Sequence, residues 1–349
     1  MDIEEIKKYL KDNKEPAFRS QQIEEARYKN YILNFKDISN LPKALAKKLD
    51  EKFNLFPFKL ISLLSSEDER AHKALLQTED GKNIETVLLS SKQGNYSACL
   101  SSQIGCALDC KFCATGKMGF SRNLTPEEIN GQFLFWKNYF QKNKLKGNFT
   151  NIIFMGMGEP FLNWDNLKIA INELNNPKKY NLGSRHISIS TSGIVPKIKE
   201  LAKTFPQINL AVSLIFPEQK QRKLYMPVAK TYDLRQLRSA LEYYLKTTKR
   251  KVFLEYVMFE DLNDNQSSFL NLVEFIKSIE NWQKLIQVNL IPYNQNDKEI
   301  FLTSSIEKIQ AFKKELEKRR IKVSIRKSLG QDIQGACGQL TGSKNSNSK

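Results

Sequence analysis

Ser101–Gly116 reads SSQIGCALDCKFCATG and carries three of the chain's five cysteines, Cys106, Cys110 and Cys113. A strand candidate, Ser97–Ser101, leads into it, and a long strand–helix alternation follows. Five cysteines scattered at random would give C-x3-C-x2-C on the order of once per 1,000 such chains, so the spacing is a signal. Three thiolates are one short of a closed metal site. Structural zinc takes four ligands in tetrahedral geometry. Cys99, Cys337, His72 or His186 could supply a fourth, but none stands at a usual zinc-finger spacing. An iron–sulfur cluster also takes four thiolates as a rule. With three, one iron keeps an open position, which suits a reagent that must bind metal directly.

Outward from the cysteines, the alternation defines the fold class. Strand candidates are Asn151–Met155, His186–Ser190, Asn209–Leu214, Lys251–Met258 and Gln287–Ile291; helical periodicity marks Pro126–Tyr139, Asp165–Asn175, Val195–Thr204 and Leu234–Thr247. Such alternation implies parallel strands with helices outside. Six units, counting Ser97–Ser101, make an α/β partial (β/α)6 barrel the expected fold, with a flat doubly wound sheet as the competing topology. Either way ligands sit at the strand C-terminal ends. Residues 1–62 read as a small helical accessory domain, with apolar faces at Ile3, Ile6, Leu10, at Ile23–Leu33 and at Leu41–Phe53. KALLQTEDGKNIETVLLS places a hairpin around Asp80-Gly81 within an extension spanning 63–90. The core spans 91–331, and 332–349 form a C-terminal cysteine loop and a polar tail, Thr341–Lys349, expected to be disordered.

The chain has 349 residues, with 55 Lys+Arg against 38 Asp+Glu, a net charge of +17. A charge of that size suits a polyanionic partner, nucleic acid above all. No apolar run approaches the ~20 residues of a membrane span. The acidic N-terminus, MDIEEIKKYL, lacks a secretory h-region, so a cytosolic protein is expected. There, close cysteines point to metal or catalysis rather than to a disulfide framework.

C-x3-C-x2-C just after a first strand resembles the radical S-adenosylmethionine (SAM) enzymes. The resemblance implies a [4Fe-4S] cluster on Cys106, Cys110 and Cys113 whose open iron chelates the amino and carboxylate groups of SAM. An electron from the cluster then cleaves SAM to a 5′-deoxyadenosyl radical. Phe112, between two ligands, would shield the cluster or simply pack in the core. GMGEP after the second core strand resembles the loop that binds the SAM amino group, which carries over Gly158 and Glu159. Ser190 in ISISTSG, Ser213 and Leu214 in AVSLIFP, and Asn294 in NLIPYN match further SAM contacts. Ile215 departs from the pattern, which usually has His there; a backbone contact would survive the change and a side-chain contact would not.

CLSSQIGCALDCKFCATGKMGFSRNLTPEEI, NIIFMGMGEPFLNWDN, HISISTSGIVP and ACGQL together resemble the RlmN/Cfr branch of radical SAM methyltransferases, over roughly residues 15 to 342. For this branch the resemblance implies methylation of adenine in RNA. Gly158–Asn163 (GEPFLN) resembles the members acting at adenine C2, at adenine 2503 of 23S rRNA and adenine 37 of tRNAs, rather than those acting at C8. C2 lies between two nitrogens and is a poor nucleophile, so ordinary methyl transfer would fail there. The implied route consumes two SAM molecules. Cys337 takes a methyl from one; a radical from the other removes hydrogen from that S-methyl group; the resulting S–CH2 radical adds to C2. After proton loss, Cys99 attacks Cys337 and releases the product, leaving a transient disulfide that must be reduced. Glu85, in IETVLL, matches the branch's proton acceptor. The Gly335 and Gly338 flanks suit a mobile, exposed Cys337 loop. The implied partners are 23S rRNA, tRNA and an electron donor such as flavodoxin or ferredoxin, with the enzyme a monomer.

A base inside folded RNA must be turned out of its stack, with phosphates supplying most of the affinity. Candidate basic surfaces are Lys220–Lys223 (KQRK), Lys249–Lys251, Lys313-Lys314, Lys318–Arg320 and, foremost, Arg326-Lys327 just before the Cys337 loop.

Overall fold

The computed structural model describes residues 3–295 and 301–342. The expected disordered tail lies almost wholly outside the described residues. Strands, in chain order, are β1 (Lys59–Ser65), β2 (Ala71–Gln77), β3 (Asn83–Ser90), β4 (Asn95–Cys99), β5 (Gln103–Gly105), β6 (Phe120–Asn123), β7 (Asn148–Phe154), β8 (Ile187–Thr191), β9 (Asn209–Ser213), β10 (Val252–Met258), β11 (Ile286–Pro292) and β12 (Lys322–Ile325). Ten form one sheet in the order β1-β2-β3-β4-β7-β8-β9-β10-β11-β12, and β5 pairs with β6.

From β4 onward every neighbour in the sheet is parallel. The strands follow chain order without reversal. A doubly wound sheet reverses at a switch point; this one advances in one direction, as a barrel wall does, and stays open at β1 and β12. The six expected strand–helix units are therefore present as β4 and β7–β11, and β12 adds a seventh parallel strand. The antiparallel extension β1–β3 continues the same sheet. Residues 59–62, read with the helical region, are strand instead. They follow the last helix of that region, Lys43–Lys52, and KLISLLS on an outer edge lacks the alternation that marks a half-buried strand.

Local signals explain the helix starts. Thr125 caps Pro126–Lys142 in a capping box with Glu128, and Asp233 caps Leu234–Thr248 in one with Gln236. The three N-terminal helices, Ile3–Asp12, Phe18–Tyr28 and Lys43–Lys52, bury their own cluster around Ile6, Leu10, Ile23, Phe35, Leu45 and Leu49. The main core is a separate cluster filled from both the sheet and its helices.

Candidate active site

The cysteine loop begins at the end of β5. Gly105 has φ +74°, and a Cβ there would lie 1.8 Å from the Gly119 carbonyl, so only glycine lets the loop close on itself. The Cys106 amide donates to Gly119 O at 3.0 Å and the Cys113 amide to Cys110 O at 3.0 Å. Burial first, then the Cys113 thiol and the Glu159 carboxylate, raise the Cys106 thiol to about 12. Burial and the other two cysteines also raise Cys110 well above its usual value, while Arg222 opposes them. Thiolates here repel one another, and a cluster's positive iron would relieve that repulsion. Among the described residues no three His, Cys, Asp or Glu side chains converge on a single metal position. His72 is bonded locally to Ser65 Oγ at 2.8 Å. His186 meets Asn151 at the N-terminal edge of β8, whereas the cysteines follow the C-terminal end of β4. Phe112 is buried against Phe216 and Phe259.

The loop after β7 is tied to the approach of the cysteine loop. Ser101 Oγ accepts from the Met157 amide at 2.8 Å, and Gln103 Oε1 accepts from the Glu159 amide at 2.9 Å. Gly158 has φ +91°, and a Cβ there would lie 2.5 Å from Gln103 Cβ. Glu159 is buried rather than solvated. Its Oε2 accepts from the Ser192 amide and hydroxyl, both at 2.8 Å, and its Oε1 from the Phe161 amide at 3.1 Å. Burial raises its pKa against those bonds. Ser190 is the penultimate residue of β8, two positions before Ser192. Ser213 ends β9, and Leu214 and Ile215 follow it, both buried. Ile215 holds φ +53°, costly for a β-branched residue, and its amide donates to Glu255 O while its carbonyl accepts from Asn263.

The C-terminal segment is pinned rather than mobile. The Ala114 amide donates to Gly338 O at 2.9 Å, and Thr115 Oγ1 donates to Leu340 O at 2.7 Å. Asn294 Nδ2 donates to Cys337 O at 3.0 Å. Glu85 is buried: Oε1 pairs with Lys73 Nζ at 2.7 Å, and Oε2 accepts from the Thr341 and Gly342 amides at 2.7 and 3.0 Å. Cys337 is exposed as a residue, while the neighbouring protein raises its thiol through desolvation and Arg326 opposes the rise. Cys99, buried at the end of β4, is also raised by burial and then by Cys337, so the two thiols share one electrostatic neighbourhood.

The structure divides the basic runs. Lys249–Lys251 and Lys318–Arg320 precede β10 and β12, at the end of the sheet opposite the cysteine loop. Arg326-Lys327 follow β12 at the site end and are exposed. Within Lys220–Lys223, Arg222 is not surface at all: it is 1 % exposed. Sequence reading also missed a polar row across adjacent strands. Ser213, Glu255, Asn289 and Ser324 are register partners; Asn289 donates to Glu255 at 2.9 Å and Ser324 to Asn289 at 2.6 Å. A lone acid inside the apolar run VFLEYVM was the available signal.

Residues 100–276 match the radical SAM superfamily, and residues 1–55 match the ribosomal RNA large subunit methyltransferase N-terminal domain. A probable dual-specificity RNA methyltransferase RlmN of Dictyoglomus thermophilum is 40% identical, covering 97% of this chain and 94% of the relative. A ribosomal RNA large subunit methyltransferase Cfr of Clostridium botulinum (strain Loch Maree) is also 40% identical, covering 96% and 95%. The crystal structure of a radical SAM methyltransferase from Sphaerobacter thermophilus superposes with TM-score 0.90 at 34% identity, covering 98% of each chain. A chain with a three-cysteine loop at the mouth of an open parallel sheet is thus a radical SAM protein by fold and by site. It belongs to the RlmN/Cfr family of radical SAM RNA methyltransferases. Membership implies a [4Fe-4S] cluster and SAM. The donor set fits them: three thiols in one loop, mutually repelling as anions, with an open glycine-bearing loop beside them. Among the described residues no helix is long and apolar enough to cross a membrane.

Proposed function

We propose that this protein methylates C2 of adenine in 23S rRNA and in tRNA through a methyl carried on Cys337. The observation that supports it most is the docking of the Cys337 segment on the cysteine loop through Gly338 and Leu340. Cys106, Cys110 and Cys113 hold the cluster, and Gly158, Glu159, Ser190, Ser213–Ile215 and Asn294 line the SAM site. Bound there, cluster and SAM together supply the hydrogen-abstracting radical. As a thiolate, Cys337 would take the methyl of one SAM, its new S–CH3 bond forming as the donor's sulfonium–methyl bond breaks and the neutral thioether, S-adenosylhomocysteine, leaves. Loss of one hydrogen atom from that methyl leaves an S–CH2 radical that bonds to C2. Glu85 receives the C2 proton, for which its Oε2 must release the Thr341 and Gly342 amides. The adduct radical also gives up one electron, to the one-electron couple that serves the site; Cys99 as thiolate then attacks the Cys337 sulfur, the S–CH2 bond breaks, the freed carbon takes up a proton, and the methylated base leaves behind a Cys99–Cys337 disulfide. A one-electron donor of the flavodoxin or ferredoxin type serves a single chain, two SAM are consumed per turnover, and residues 1–62 with Arg326 and Lys327 dock the RNA.

The test is anaerobic reconstitution, incubation with unmodified 23S rRNA and tRNA, and mass spectrometry of the nucleosides. Wild type is expected to yield 2-methyladenosine, and Cys337→Ala to load about four irons yet methylate nothing. Product from Cys337→Ala overturns the carrier role, and 8-methyladenosine overturns the C2 assignment. The second outcome has its own support in the Cfr-named relative.

A further inference from the structure

Arg222 stands in the helix Gln219–Tyr225 and is 1 % exposed. Its Nη1 donates to Ser213 O at 3.1 Å, to Leu214 O and to Met226 Sδ at 3.2 Å, and its Nη2 donates to Ser192 O at 2.6 Å. Nε has no partner. Among the described residues no carboxylate pairs with it. Carbonyl dipoles orient a guanidinium but do not cancel its charge. A buried charge without a counter-charge is costly enough that proteins rarely keep one. The cysteine loop lies against this same helix: the Lys111 amide, next to Cys110, donates to Tyr225 O at 3.1 Å.

We propose that Arg222 is the fixed counter-charge of the cysteine-bound cluster and raises its affinity for the incoming electron. The inference rests on the reading that Cys106, Cys110 and Cys113 hold a [4Fe-4S] cluster. Three thiolates on a 2+ cluster leave a net charge of −1, and one-electron reduction by an external donor makes it −2. A permanent cation nearby favours the second state over the first, and burial protects it from screening by salt. Burial pulls Arg222 down to about 10, and an ionised Cys110 would work the other way, so the guanidinium and that sulfur stand within electrostatic reach of each other.

The experiment is a potentiometric titration by electron paramagnetic resonance of the reconstituted protein without SAM. A unit charge at this kind of range, at an effective dielectric of about 20, changes electron affinity about tenfold, or ~59 mV for one electron. Arg222→Gln is expected to lower the midpoint by that amount, whereas Arg222→Lys, which keeps the charge and loses the forked hydrogen bonds, stays at the wild-type value. Equal shifts in both variants, or none in Arg222→Gln, overturn the proposal, because a packing role would move both alike. If Arg222→Gln holds no cluster, Met226→Glu replaces it: the new carboxylate neutralises the cation in place and must lower the midpoint in the same direction. An unmoved midpoint there overturns the proposal as well. Iron content of the wild type separates the two levels: without about four irons the cluster reading itself fails, whereas a loaded cluster with an unmoved midpoint refutes only the role of Arg222.

Discussion

Arg27 and Arg222 are both almost wholly buried, at 2 % and 1 % exposure, and each leaves Nε without a partner. Their surroundings differ. Arg27 lies where the helix Phe18–Tyr28 meets the main core. Glu173 there accepts from Tyr28 Oη at 2.7 Å and Asn130 Nδ2 at 2.9 Å and pairs with Lys179 at 3.1 Å. Burial works against the charge of Arg27, but Tyr180, Tyr28 and Glu173 outweigh it and hold the guanidinium more firmly protonated. Around Arg222 burial wins, because no acid among the described residues answers it. One arginine lies within the field of an acid of the fold, where two cores join. The other faces thiols that become anionic only when metal binds, so its compensation comes with the cofactor.

Removing Glu173 is the strongest way to break this contrast. Glu173→Gln removes the acid whose field reaches Arg27, together with the part-buried ion pair to Lys179 and the charged acceptor of Tyr28 and Asn130, a loss of roughly 2 kcal/mol. Urea denaturation of the metal-free protein is expected to show that loss, with the cluster midpoint unchanged after loading. A loss well below about 1 kcal/mol would mean that Arg27 is compensated elsewhere. The next effect sharpens the other half. Cluster loading should stabilise wild type more than Arg222→Gln, by about 1.4 kcal/mol, the same unit-charge interaction that sets the tenfold effect on reduction. Paired anaerobic urea curves, apo and loaded, measure it. An equal gain in both proteins removes the coupling between cation and cluster.

Much of this was legible in the sequence, and the exceptions share a cause. The core strands show because β-rich runs such as NIIFM and ISIST stand between helical periods, and the cysteine and glycine motifs show because their spacing is local. KVSI of β12 was too short to stand out, and its place depends on β11 beside it. Arg222 sits in KQRK, which reads as a solvated face; its acceptors, Ser192 and Ser213, come from two other strand ends. Glu85 in a hairpin reads as a surface charge until Lys73 across the ladder and the amides of Thr341 and Gly342 close on it. The pinning of the Cys337 loop was hidden the same way, since its partners Ala114 and Thr115 are more than two hundred positions upstream. Burial set by distant segments leaves no local pattern.

The smallest expected effect separates the two arginines by pH. Burial pushes Glu173 up, but the hydrogen bond from Tyr28, the charge of Lys179 and the bond from Asn130 outweigh it, so its folded pKa lies below the ordinary 4.5. In the unfolded chain the group takes up its proton near that ordinary value. Between the two values the unfolded state holds more protons than the folded one, so stability falls as pH drops through this window. The contribution is complete above the unfolded pKa and gone below the folded one. Arg222, down-shifted only to about 10, stays charged throughout and adds no acid limb. Asp68, Asp80, Glu200, Asp233 and Glu315 are depressed as well, so wild type has an acid limb from several sources. The difference between wild type and Glu173→Gln isolates the Arg27 network. Urea midpoints of the two metal-free proteins should converge as pH falls below 4.5, while Arg222→Gln stays parallel to wild type. Parallel curves for Glu173→Gln would show that Glu173 is not the acid that holds Arg27.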